Sequence, residues 1–160
     1  MGRDIALMSF YICGANLVDL YEMPKAKAGH VEFVRHKVNG RWQKTVNIRI
    51  EPELGALIEQ YSGDDRLLRF SEIYGNYESF RHKIGHRLRD VSKLLGFNVN
   101  LAMIRRTWAT LAAEIECPDA IIDMCMGHIP QTVNRKHYVK PNWDNAAKWN
   151  RRVIDYVLAA

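Results

Sequence analysis

Apolar residues form a near-continuous run over residues 4–12, which reads as a buried helix, and a second short helix over 16–22 is stopped by Pro24. Residues 30–37 and 42–50 alternate apolar and polar positions as half-buried strands do, and the Asn39-Gly40 dipeptide between them is a hairpin signal. Glu51-Pro52 opens a helix with Pro at an early position and Leu54, Leu57, Ile58 and Tyr61 at helical spacing. Residues 63–66 (GDDR) read as a loop, and a long amphipathic helix is predicted over 76–95, ending before Gly96. Asn100 is positioned to cap a helix over 101–116, on which Leu101, Ile104, Trp108, Leu111 and Ile115 make one apolar stripe. Pro118 starts a shorter helix that Gly127 stops, and a last helix covers about 142–158. The order of helices, one hairpin and further helices predicts a mostly helical α+β fold with a small antiparallel sheet at one edge.

Composition narrows the class. A chain of 160 residues, 48% hydrophobic and 26% charged, is suited to one globular domain. Lys and Arg total 23 against 18 Asp and Glu, a net charge of +5 that fits a polyanionic partner without requiring one. Three cysteines, Cys13, Cys117 and Cys125, include no CxxC pair, so neither a disulfide framework nor a structural zinc site is expected, and reduced core thiols are the plain reading. The apolar opening from Ile5 to Val18 is too short for a bilayer span and is broken by Ser9, Gly14 and Asn16. No signal peptide or myristoylation motif is present, and a cytoplasmic location is expected.

The candidate chemistry lies in the second half of the chain. Arg105 and Arg106 stand early in the helix that opens at Leu101, where cations oppose the helix dipole. An anion bound there would account for them, and a solvated pair is the ordinary alternative. Arg105 also shares a face with Ala102, Ala109 and Ala112, small residues that permit close approach. Gly127-His128 follows a helix end, where an imidazole can face a cleft or be incidental. Ten residues later comes Tyr138, in the run RKHYVK; alone it reads as a core or rim aromatic.

Taken in order, these residues carry a resemblance. Arg-x-Thr-x-Ala-Thr (Arg105, Thr107, Ala109, Thr110), then Met-Gly-His some twenty residues on, then His-Tyr, resembles the catalytic domain of the tyrosine recombinase (phage integrase) family. CGANLVDLYEM (13–23) looks like the family's first arginine box, and VRHKVNGRWQKTVNIRI (34–50) like its hairpin, whose lysine matches Lys37. The resemblance runs from about residue 4 to 158. It implies a single catalytic domain over 1–160, with the family's upstream core-binding and arm-binding domains absent, as in a fragment. It has three departures: Asn16 stands where the family has its first arginine, Ala102 where it has a histidine, and Arg106 where a histidine is usual.

The resemblance implies a DNA strand-cleaving enzyme in which Tyr138 attacks a backbone phosphorus. Arg105 and His128 would stabilise the charge that gathers on the non-bridging oxygens, and Lys37 would protonate the leaving 5′-oxygen. Arg35 lies two residues before Lys37 on the same strand, hence on the same face, and is the candidate to supply the charge that Asn16 lacks. Holding DNA backbone or solvent is the alternative for Arg35. Arg106, Lys44, Arg135 and Lys136 are candidate DNA contacts, and no metal or cofactor is implied. The implied partners are double-stranded DNA and further copies of the chain in a tetrameric synapse. The final helix would dock either on a neighbouring subunit or back on its own domain. A non-catalytic DNA-binding module and a type IB topoisomerase are the competing readings.

Overall fold

A computed structural model of the protein describes residues 1–35, 45–128 and 141–160. Among them the chain is mostly helical, with a two-stranded antiparallel sheet: an α+β fold. Helix α1 (Gly2–Tyr11) is buried along most of its length and runs through the middle of the structure, packing on α3 (Pro52–Tyr61), α5 (Tyr77–Leu95) and α6 (Leu101–Glu114). A near-continuous apolar sequence suits that position, because a helix covered on several sides needs no polar face. A sharp turn leads into α2 (Leu17–Glu22) and then to β1 (His30–Val34), which pairs with β2 (Thr45–Arg49).

The sheet buries one face. Val31 lies opposite Ile48 and Phe33 opposite Val46, and all four side chains are in the core, whereas Glu32 and Val34 are exposed. The rest of the expected hairpin, including Asn39-Gly40, lies outside the described residues. No helix among the described residues is long and apolar enough to cross a membrane.

Side-chain caps set the helix boundaries as their residue types predict. Asn76 and Asn100 accept from the N–H groups of Ser79 and Met103, at 2.9 Å each, and so open α5 and α6. The sequence pattern gave no sign of α4 (Phe70–Tyr74), which is only five residues long. Its Phe70 stacks on Phe80 of α5, ring centroids 4.8 Å apart, so tertiary packing supplies what so short a segment lacks alone. On α6 only Trp108 of the expected stripe is fully buried; Leu101, Ile104, Leu111 and Ile115 are half-buried, and Ala112 completes the inner face.

Helix α7 (Asp119–Met126) ends at Gly127, and α8 (Trp143–Leu158) folds back on its own chain, against α6, α7 and β2. Its Ala146, Ala147, Asn150, Val153 and Ile154 face inward, while Tyr156, Val157 and Leu158 are exposed. Asn150 fixes this docking: its amide accepts from Trp108 Nε1 and donates to the Tyr11 carbonyl, each at 2.9 Å, tying α8 to α6 and α1 inside the core.

Candidate functional site

Four distant segments meet in one place. Helix α1 and its turn end in the carbonyls of Ile12, Cys13 and Gly14. Helix α7 ends in those of Cys125 and Met126. The last carbonyls of a helix have no partner within it and carry the negative end of its dipole. Two guanidinium groups, Arg105 from α6 and Arg35 from just beyond β1, fill the space where these ends converge.

Arg105 donates through Nη1 to the Gly14 carbonyl at 3.0 Å and through Nη2 to that of Met126 at 2.6 Å. Nη2 also lies 3.1 Å from Nε2 of His128. Close approach of the backbone makes this possible: a Cβ on Gly14 would sit 2.6 Å from Arg105 Cγ and 2.7 Å from its Cα. Gly14 also has φ +75, a left-handed conformation that side chains disfavour. The described partners occupy three of the five guanidinium N–H groups, and the other two have no partner among the described residues. Burial, and next the neighbouring charge of Arg35, pull the Arg105 pKa down to about 10. It therefore stays protonated at neutral pH, and an anion beside it would relieve both effects.

His128 follows the α7 cap, with Gly127 left-handed at φ +69, so its half-exposed ring turns back over the helix end. Its Nδ1 lies 3.1 Å from Asp123 Oδ1. A guanidinium N–H can only donate, so Nε2 accepts from Arg105 and the neutral ring carries its proton on Nδ1, aimed at Asp123. Asp123 thus selects the tautomer. Nothing in the sequence pattern singled out this carboxylate; its only signal is a position five residues before His128, at the end of a helix that turns back on itself.

Arg35 lies elsewhere than on an open cleft. The alternation that buries Val31 and Phe33 continues to Arg35, whose side chain is 2% exposed. Nη1 donates to Gly14 O and to Asp19 Oδ2, both at 3.2 Å. Nη2 donates to the carbonyls of Ile12, Cys13 and Cys125 at 3.2–3.3 Å. The terminal nitrogens are fully engaged, while Nε is buried with no partner among the described residues. The guanidinium also lies 5.1 Å from the Phe33 ring centroid. A direct phosphate contact by this group requires breaking bonds that now hold two helix ends.

Asp19, fully buried, is the counter-ion the sequence reading passed over; it also accepts from the Asn16 N–H at 3.0 Å. Asn16 is therefore the cap residue of α2, and Ala102 is exposed on α6. Arg106 is exposed. Tyr138, Lys37, Lys44, Arg135 and Lys136 lie outside the described residues. Cys13, Cys117 and Cys125 are free and buried, and burial pushes the Cys13 and Cys117 thiols well up from their ordinary values. Among the described residues no group of three or more metal-ligating side chains comes together.

No family model matches the chain, and no solved structure matches it. Over 61 residues the chain is 33% identical to the prophage integrase IntF of Escherichia coli strain K12. That match takes in 38% of this chain and spans 13% of the integrase's length. The similarity is thus to an integrase, over part of each protein.

Proposed function

We propose that this chain is the catalytic domain of a site-specific DNA recombinase of the tyrosine class, cutting and rejoining strands through a 3′-phosphotyrosyl intermediate. The observation that carries the reading is the 3.1 Å juxtaposition of Arg105 and His128, with two guanidinium N–H groups of Arg105 that have no partner among the described residues and suit an oxyanion. The partial similarity to a prophage integrase and the order of motifs through Tyr138 support it.

In this mechanism Tyr138 Oη forms a bond to phosphorus as the bond from phosphorus to the 5′-oxygen breaks. A tyrosine with pKa near ~10 is protonated at neutral pH, so its proton must pass to a base as it attacks. The unprotonated Nε2 of His128 is the base that the described residues offer. Lys37 gives a proton to the departing 5′-oxygen. Arg105 donates to the non-bridging oxygens, where charge grows toward the transition state; one such donor is worth about 2.7–4 kcal/mol. The phosphotyrosyl bond keeps the phosphodiester's energy, so a 5′-hydroxyl of a second duplex can reverse the step on a new strand, in a synapse of several copies. Arg106, Lys44, Arg135 and Lys136 hold the duplex by its phosphates.

A nicked suicide duplex tests this. Wild-type protein is expected to give an SDS-resistant DNA adduct, and Tyr138→Phe to give none while retaining DNA affinity. Asn16 and Ala102, at positions where the family resemblance has charged or titratable groups, favour one competing reading, a DNA-binding module without cleavage. Tight DNA binding by wild type with no adduct selects that module and overturns the enzyme. Supercoil relaxation without strand exchange selects a topoisomerase.

A further inference from the structure

We propose that Arg35 is a positioning residue, which fixes the Arg105 guanidinium by tying the C-terminal ends of α1 and α7 together beneath it. This deepens the recombinase reading and rests on it for the identity of the anion, but not for the geometry.

Three observations converge. First, Arg35 and Arg105 donate to the same carbonyl, that of Gly14, so the oxygen that locates one guanidinium is held by the other. Second, Arg35 binds the Cys125 carbonyl while Arg105 binds that of Met126, one residue along. Gly127, between these and His128, packs so tightly on Arg35 that a Cβ there would lie 2.7 Å from Arg35 Cγ. A shift of Arg35 therefore moves both carbonyls under Arg105 and the residue that carries His128. Third, the buried Asp19 carboxylate pairs with Arg35 at 3.2 Å and holds the α2 end of the same turn through the Asn16 N–H. A buried cation with four carbonyl acceptors and a counter-ion is a built structural node. A group meant to meet a phosphate directly keeps donors free, as Arg105 does among the described residues and the terminal nitrogens of Arg35 do not.

The fork of Arg35, rather than its charge alone, does the positioning, and this separates it from a direct phosphate ligand. Lysine keeps the charge but presents three donors from one nitrogen and cannot span both helix ends.

Arginine-selective modification by phenylglyoxal, mapped by mass spectrometry with and without the nicked duplex, tests the assignment on the full chain. Arg35 is expected to stay unreacted in both states, and Arg105 to react and be protected by DNA. In Arg35→Lys, Arg105 should react at least about threefold faster. Single-turnover cleavage should fall at least about tenfold, with the duplex Kd within about threefold. Should Arg35→Lys fail to fold by circular dichroism, Asp19→Asn, which keeps an acceptor for Asn16, takes its place with the same expected direction. Reaction of Arg35 in the free protein with protection by DNA makes it a direct ligand and overturns the proposal. So does an Arg35→Lys, or in its place an Asp19→Asn, that leaves Arg105 reactivity unchanged. Absence of any adduct from wild type overturns the recombinase reading instead, and the Arg105 reactivity still decides the role of Arg35.

Discussion

The carbonyl oxygen of Gly14 accepts from both arginines of the site, Arg105 at 3.0 Å and Arg35 at 3.2 Å. One backbone oxygen thereby couples a guanidinium at the rim to one that is buried, and the residue bearing it is a glycine pressed against α6. Gly14→Ala is expected to be costly on two counts. The left-handed φ costs about 1–2 kcal/mol for a side chain, and the contact with Arg105 adds an overpacking penalty of about 1–3 kcal/mol. Urea denaturation should show a loss of a few kcal/mol, and on the recombinase reading DNA cleavage should fall with it.

The Asp123 carboxylate holds the proton of His128 on Nδ1, leaving Nε2 to face Arg105. In Asp123→Asn the amide can donate to Nδ1 instead, favouring the tautomer whose Nε2–H confronts an N–H of Arg105. Imidazole nitrogen NMR shifts should report the change directly. On the recombinase reading, single-turnover cleavage should drop about tenfold, a part of the ~10²–10⁴ that a well-placed acid or base contributes. Asp123→Ala, which imposes no wrong tautomer, should lose less.

Asn150 joins α8 to the core through Trp108 and the Tyr11 carbonyl. Asn150→Ala orphans a buried donor and a buried acceptor together, at about 1–3 kcal/mol each. A loss of a few kcal/mol in chemical denaturation is the expected outcome, and a near-neutral result would show that water replaces the amide.

Tyr61 donates its phenolic proton to Asp4 at 2.6 Å. Burial first, and then that carboxylate, push its pKa up to about 12 from 10.0. Between these values the unfolded chain has released the proton and the folded one has not. The folded state binds more protons there, so stability falls as pH rises from 10 to 12. The contribution is fully present below pH 10. Tyr61→Phe should lower stability at neutral pH and give a shallower decline across that alkaline window, as followed by thermal melts.

Helix ends were legible where single residues decide them: Asn100 as a cap, Pro52 at a start, Gly127 at a stop. Helix α4 was not, since five residues carry too little periodicity and its stability comes from the Phe70–Phe80 stack. The side chain of Arg35 was half legible. The same alternation that relates it to Lys37 also puts it behind Val31 and Phe33, on the face turned into the core. Asp19 and Asp123 stayed hidden for a physical reason: a carboxylate declares its partner only when folding brings up a guanidinium from 16 residues away or turns a histidine back over a helix end.

The two helices that converge on the site present their carbonyl ends, and this sets the sign of the local electric field. A helix amino end attracts phosphate by itself; a carboxyl end repels it, with roughly half an elementary charge at each terminus. Here two such ends point inward, so the scaffold alone would turn a nucleic-acid backbone away. Arg35 and Arg105 reverse that polarity. Replacing either with a neutral side chain would therefore do more than dilute an attraction: it would uncover a repulsion that the backbone carries permanently.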